Sequence, residues 1–480
     1  MKQLLFLNVL LIVLSTSCNK RTKNDLLNEN GTGRRATTET LLDAFPGAEG
    51  FGRYATGGRG GQVVEVTNLN DAGPGSFRQA FLEYPGEPIT IVFRVGGIIN
   101  LTSLIKVTRS DFTVAGQTAP GDGICLKGKS FIINGARSGG NHGNIIVRHI
   151  RSRPGAKDST GVYGFDMENV HDMIVDHCSF SWANEECAAL YDTKNTSVQW
   201  CIVSEGLYNA GHLKGLRGYG GVWGGQNASY HHNLIAHQYN RSVRFNGARA
   251  HDTAAVVDYR FNVIYNWGKV NACAGGAIEI PGGTSWINMV NNYYKPGPAT
   301  AGLTLWFMEA DYNTANIGYG LWYMAGNVME GSSTLTSNNQ AGLKISNIPA
   351  VYQTLVFSST PFAVEPVTNQ TANAAYTDVL AGAGATRPVR DAVDVRVVNE
   401  TATKTASGTG TSGKAGIIDD PSAVGGWPTY ASGTAPADTD HDGMPDAWED
   451  ANELNKNDAA DRNNIHSSGY TMLEVYLNSL

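Results

Sequence analysis

Charge is scarce in this chain. Only 16% of its 480 residues are charged and the formal balance is −7, so the field of the whole molecule repels nucleic acid and anionic membranes. A polyanionic ligand therefore needs a locally basic cleft. Cysteine is scarce too, with six residues and no C-x-x-C or comparable spacing, which argues against a cysteine-held metal. Five of them, Cys125, Cys178, Cys187, Cys201 and Cys273, follow Cys18; that odd set makes a disulfide framework a poor reading, and they read as small buried core residues. A Cys178–Cys201 bridge is the pairing left open. The 57 glycines lack a G-X-Y period, which excludes a collagen-like chain and leaves many tight turns. From residue 44 to about residue 300 no long stretch has a helical period, so a helix bundle is excluded as well.

What is present starts at the N terminus. Lys2, the apolar run Leu4–Leu14 and the small residues Ser15, Thr16 and Ser17 precede Cys18. The pattern resembles a bacterial lipoprotein signal, with cleavage leaving Cys18 as the lipidated terminus; an ordinary secretory signal is the other reading, and both export the protein. The run is too short to span a bilayer as a mature helix. Residues 1–18 are thus expected to be a signal, and the polar residues 19–43 a tether. The expected location is the outer membrane or cell surface, or else secretion, with the membrane met only through the lipid.

At this length, with 41% hydrophobic residues, the chain can bury a large core. Short β-branched runs recur at Ile145–Ile150, Met173–Cys178, Ser197–Ile202, Ala228–Asn233, Val257–Asn262 and Trp286–Asn291. Their last residues lie 28, 24, 31, 29 and 29 positions apart. Short strands at this period without intervening helices predict a solenoid, whereas a sandwich shows turn signals every 8–12 residues. The fold expected is all-β, a right-handed parallel β-helix over residues 44–345, with loop excursions. Cys178, Asn233, Asn262 and Asn291 fall at equivalent offsets and predict a corner ladder. Trp306, Phe307, Tyr319, Trp322 and Tyr323 would cap the solenoid or line a sugar site.

Residues 346–437 shift to Ala, Thr, Gly and Ser and read as a loop and helical extension packed on the solenoid, with Ala372–Ala381 the helical candidate. Residues 438–480 open on a calcium loop. Asp438, Asp440, Asp442, Gly443, Asp446 and Glu449 occupy its positions 1, 3, 5, 6, 9 and 12, and Met444 offers a carbonyl at position 7. Hard carboxylate oxygens suit Ca2+, in a structural role.

Three segments carry a resemblance. Ala44-Phe45-Pro46-Gly47-Ala48-Glu49-Gly50-Phe51-Gly52, Val66-Thr67-Asn68-Leu69-Asn70-Asp71 and Val175-Asp176-His177-Cys178-Ser179-Phe180-Ser181-Trp182 resemble polysaccharide lyase family 1 pectate lyases, as do Arg390-Asp391-Ala392-Val393-Asp394 and the acidic tail. The resemblance implies calcium-assisted β-elimination on demethylated polygalacturonate: the C5 proton of a galacturonate is removed and the C4 oxygen expelled. Calcium on the substrate carboxylate would stabilise the developing charge while a base takes the proton. The implied calcium ligands are Glu185, Glu186 and Asp166, with Glu168 as the alternative register. Glu185 stands where relatives often have Asp.

Asn240-Arg241-Ser242-Val243-Arg244-Phe245 resembles the family's R-x-P-R segment, with Val243 in place of proline, and implies Arg241 as base and Arg244 as supporting cation. Lys214 resembles the lysine that contacts a substrate carboxylate. A guanidinium gives up its proton only near pH 12 or above, so the base role implies an alkaline optimum. The other reading makes Arg241 an electrostatic clamp, with Lys214 or water as base. Asp176 and His177, adjacent on a strand, are expected to point to opposite faces and to be structural, and His231-His232 to be core or corner histidines. A polygalacturonate hydrolase using paired carboxylates, a noncatalytic pectin-binding surface protein and a lyase of methylated pectin are the competing readings. A monomer is expected.

Overall fold

A strand that must end, turn and restack every 23 to 32 residues needs a residue that tolerates a left-handed backbone at each corner. In the computed structural model, which describes residues 41–134, 141–155, 157–315 and 318–480, those residues are regularly placed. His149, His177, Trp200, His232, Phe261 and Asn291 each follow one strand and have φ between 50° and 58°. Left-handed backbone costs an L-residue about 1–2 kcal/mol. Stacking and hydrogen bonding along the corner offset it. Rings of His149 and His177 stack at 5.2 Å, His177 and Trp200 at 5.8 Å, Trp200 and His232 at 4.3 Å, and His232 meets Phe261 at 5.2 Å. The predicted signal 1–18 with Cys18, and the tether as far as residue 40, lie outside the described residues.

The strands stack into three sheets, named here as faces in the order the chain visits them. The first face has ten strands, from Gln62–Val66 to Leu321–Ala325; the second has nine, from Gly97–Asn100 to Val328–Met329; the third has nine, from Ile105–Val107 to Leu343–Lys344. Neighbours within each face pair in parallel, and the chain forms a right-handed parallel β-helix. Tyr312–Asn313 and Gly318–Tyr319 form a small antiparallel excursion. Among the described residues no helix is long and apolar enough to cross a membrane.

The register corrects the corner ladder. Ser197 pairs with Ser229 and Val257 with Ile287, each one residue beyond the spacing read from the sequence, so the ladder continues through Asn292, not Asn291. The backbone N–H groups of Cys201, Asn233, Asn262, Asn292 and Asn327 donate in turn to the side-chain oxygens of Asn233, Asn262, Asn292, Asn327 and Asn339, at 2.8–3.0 Å. Below them Cys178 N–H meets Cys201 Sγ at 3.4 Å. All five described cysteines are buried free thiols, so no Cys178–Cys201 bridge exists.

Phe77 and Phe81 close the N-terminal end against Phe93, Phe112 and Phe131. Phe307 and Trp322 are fully buried in the core at the other end, with Ile348 and Val356. The extension carries two helices, Ala372–Gly382 and Ala392–Thr403. The second is fastened by a buried charge network: Arg153 contacts Asp391 at 2.5 Å and Asp394 at 2.6 Å. The Arg390–Asp394 motif is therefore a structural fastener. The final helix, Met472–Ser479, packs Met472, Leu473, Tyr476 and Leu477 with Met444 against Val92 and Ala115 of the first face.

Candidate active site

Two long loops, one between Ser152 and Phe165 and the other between Ser204 and Tyr219, join the second face to the third, and the connections on this side bring charged residues to the edge of four consecutive third-face strands: Phe165–Glu168, Glu186–Tyr191, Tyr219–Trp223 and Val243–Phe245. Cys187 and Ala188 both enter the core, so the in-out alternation breaks at the head of the second of these strands. Glu186 is buried there yet reaches the loop side, where its Oε1 takes the guanidinium of Arg241 at 2.5 Å. Its Oε2 is buried with no hydrogen-bond partner among the described residues.

Glu185 lies under a second set of cations. It pairs with Arg217, His212 Nε2 is 2.5 Å away, and Lys214 Nζ is at 3.8 Å from a largely exposed side chain. His212 Nδ1 accepts the backbone N–H of Lys214 at 2.9 Å, which fixes the ring and the loop together. The Tyr219 ring lies between the two guanidiniums, 4.3 Å from Arg217 and 4.3 Å from Arg241, a cation–π arrangement that holds both over the same strand.

Asp166 joins the same field. Burial first, then the charges of Glu186, Asp166 and Glu185, push the Tyr163 hydroxyl far above its usual range, and burial and Glu186 push Tyr191 up to about 12. Burial and the neighbouring Glu185 charge also raise the carboxyl of Glu186, against Arg241 and Arg217. His212 is lowered, chiefly by burial. Glu168 is two residues further along, paired in register with Tyr191. Asp166, Ala189, Val222 and Arg244 share one register row. Arg244 is thus three strands from Asp166, about 14 Å at sheet spacing, where it meets Asp311 at 3.2 Å.

Of the residues predicted from sequence, Glu185 and Lys214 meet, as do Glu186 and Arg241; Asp166 lies on the neighbouring strand of the same face and forms no group of metal-ligand oxygens with Glu185 and Glu186 among the described residues, and Arg244 extends the same face. Arg217 and His212 are not assigned a role by the sequence, and Tyr219 falls in the segment 218–225, which the sequence offers as a substrate-lining loop or a tight excursion of the solenoid. Arg217 and His212 flank Lys214 in a loop without a strand pattern, so nothing in the spacing singled them out. Asp176 and His177 lie away from this cluster, at the first corner. They do touch, at 2.8 Å, because the strand ends at Asp176 and His177 turns left-handed. His149 completes a possible ligand trio with them, but Asp176 is already held by Arg148 at 3.0 Å and Gln199 at 2.8 Å. His231 and His232 are buried, with their Nδ1 atoms 2.8 Å apart.

Asp438, Asp440, Asp442 and Glu449 gather separately, on the tail. Asp446 turns away, accepting from Thr439 N at 2.7 Å and Thr439 Oγ1 at 2.8 Å.

No protein-family model matches the chain. Curated relatives do. The Aspergillus fumigatus protein named probable pectate lyase C is 35% identical over 452 residues, covering 92% of this chain and 94% of its own length. The Emericella nidulans protein of the same name is 34% identical over 453 residues, covering 93% and 94%. The crystal structure of pectate lyase Bsp165PelA from Bacillus sp. N165, in complex with trigalacturonate, overlays with a TM-score of 0.46 at 16% identity, covering 70% of this chain and 98% of that one. At that score the overlay adds nothing to the assignment. Identity above one third across nearly the whole of both chains carries it: the chain belongs to the polysaccharide lyase family 1 pectate lyases and is a polysaccharide lyase.

Proposed function

We propose that the enzyme cleaves demethylated polygalacturonate by calcium-assisted β-elimination, leaving 4,5-unsaturated ends. The observation that carries this reading is the partnerless, buried Oε2 of Glu186, adjacent in sequence to Glu185, with Arg241 on its other oxygen. An orphaned carboxylate oxygen fits a hard divalent cation; the oxygens of Glu185, Glu186 and Asp166 do not lie within 4.8 Å of one another in this structure, so the three would have to close on the ion. Glu185, Glu186 and Asp166 would hold Ca2+, which supplies charge withdrawal at the substrate carboxylate.

The chain's own residues do the rest. Lys214, largely exposed on its loop, pairs with a uronate carboxylate. Arg244, further along the register row, holds the next part of the polymer. Arg241, once its contact to Glu186 opens and its guanidinium has given up a proton to solvent, takes the C5 proton as base, and Tyr219 keeps the group aligned. Arg217 and His212 hold Glu185 in place. Local cations on an acidic chain answer the requirement for a basic cleft.

We further propose that residues 1–18 export the protein, that Cys18 anchors it by lipid, and that it acts as a monomer on polymer outside the cell. The deciding experiment follows ultraviolet absorbance of the conjugated product on polygalacturonate, with calcium or with chelator. A rise that chelator abolishes supports the proposal; new reducing ends without absorbance refute elimination.

A further inference from the structure

The tail carries a carboxylate cluster that the lyase reaction does not use. Oxygens of Asp438, Asp440 and Asp442 lie within 4.8 Å of one another, and so do those of Asp442, Glu449 and Asp461. Asp442 belongs to both sets, so five carboxylates form one cluster. Asp461 lies outside the twelve-residue loop. Both oxygens of Asp440, both of Glu449, Oδ2 of Asp442 and Oδ1 of Asp461 are buried without a hydrogen-bond partner among the described residues. Glu449 is 0% exposed. Buried anionic oxygens left unpaired are among the costliest groups a fold can hold, and a cation is what satisfies several at once.

Two details select the ligand set. Asp446, at the ninth position, spends both oxygens on Thr439 and belongs to neither set, whereas Asp438, whose oxygens accept Asp442 N–H and Gly443 N–H, still lies with Asp440 and Asp442. Asp461 is oriented the other way: its Oδ2 accepts Asn455 N–H at 2.7 Å, which leaves Oδ1 for the cluster. The donors are all oxygen, which suits calcium and not a softer metal.

The cluster is also bound to the start of the solenoid. Arg94 reaches Asp438 at 3.4 Å and Glu65 at 3.2 Å, and His441 Nδ1 is 2.9 Å from Glu65. Met444, inside the loop, is buried with Leu473, Tyr476 and Leu477 on the outer side of Val92 and Ala115. Ordering the loop therefore orders the contact between the tail and the first coils.

We propose that Asp438, Asp440, Asp442, Glu449 and Asp461 hold one calcium ion, with Asp461 as a ligand from outside the loop, and that this ion clamps residues 438–480 across the first coils. The clamp is independent of the lyase reading. It is tested on the full chain, stripped by chelator and titrated with terbium while Trp448, next to Glu449, is excited; Trp448→Phe identifies the signal of this site. Asp461→Asn is expected to weaken terbium binding by at least about tenfold, whereas Asp446→Asn changes it by less than about threefold. Equal losses in the two variants, or no signal dependent on Trp448, overturn the ligand assignment.

Limited proteolysis of the unmutated chain tests the clamp without relying on a variant that folds. Cuts within 438–480 are expected to appear in chelator and to disappear when calcium returns; a cutting pattern indifferent to calcium overturns it. Turnover of Asp461→Asn at saturating calcium stays within about twofold of the parent, which keeps this site distinct from the lyase site.

Discussion

Replacing Arg241 with alanine separates chemistry from scaffolding. Its guanidinium contacts Glu186 at 2.5 Å and covers Tyr219 at 4.3 Å, and the arginine side chain is 25% exposed where that of Glu186 is 1%. Truncation strands Oε1 of a buried carboxylate whose Oε2 already lacks a partner. Breaking a fully buried pair costs about 3–5 kcal/mol. Solvent at the arginine, and the freedom of Glu186 to take up a proton, reduce that to about 1–2 kcal/mol here. Loss of a general base lowers kcat by about 10²–10⁴, equivalent to about 3–5 kcal/mol of barrier.

The two effects are read separately, stability by thermal unfolding and turnover by initial rates of product absorbance at saturating calcium. Arg241→Lys keeps a cation near Glu186 but loses the planar fork, so it is expected to recover stability while turnover stays low. An Arg241→Ala enzyme that keeps more than about a tenth of the parent kcat, with its loss appearing in KM, would refute the base role and leave Arg241 as a binding clamp.

Three further outcomes follow from particular residues. Asn262 accepts from Asn233 N and donates to Tyr230 O at 2.9 Å; Asn262→Ala strands both backbone groups and is expected to cost about 2–6 kcal/mol, read as a fall in the urea midpoint, and a change below about 1 kcal/mol would remove the ladder from the account of stability. Asp252 is pushed up to about 8 by burial and the Asp192 charge; with its folded value raised, its contribution is full below about pH 4 and is lost as pH rises through about 8. Asp252→Asn should therefore be more stable than the parent above pH 8 and similar near pH 4, and parallel pH profiles would contradict this. Cys18→Ala should move the protein from the membrane fraction to the soluble fraction of cells, and an unchanged partition would remove the lipid anchor.

The period of the solenoid was legible because each coil repeats the same local problem: a β-branched strand, a left-handed corner and an inward polar residue. Exact register was less legible. The corner accepts His, Trp, Phe or Asn, so Asn291 and Asn292 look alike in sequence although one turns the corner and the other enters the ladder. Glu185 and Glu186 stood out through family resemblance. Arg217 and His212 did not, because their role comes from a loop that folds back over Glu185, and loop geometry has no period.

The sequence by itself determined the strand-and-corner repeat, the twelve-residue acidic loop and the lyase signature, since each depends on side-chain types at short, regular spacing. Tertiary structure decided which charges meet. It paired Arg241 with Glu186 across 55 residues and Arg153 with Asp391 across 238, and brought Asp461 to Asp442 and Glu449 while Asp446 turned away. Those choices depend on how coils stack and on which oxygens burial leaves without a partner, and no window of sequence contains both.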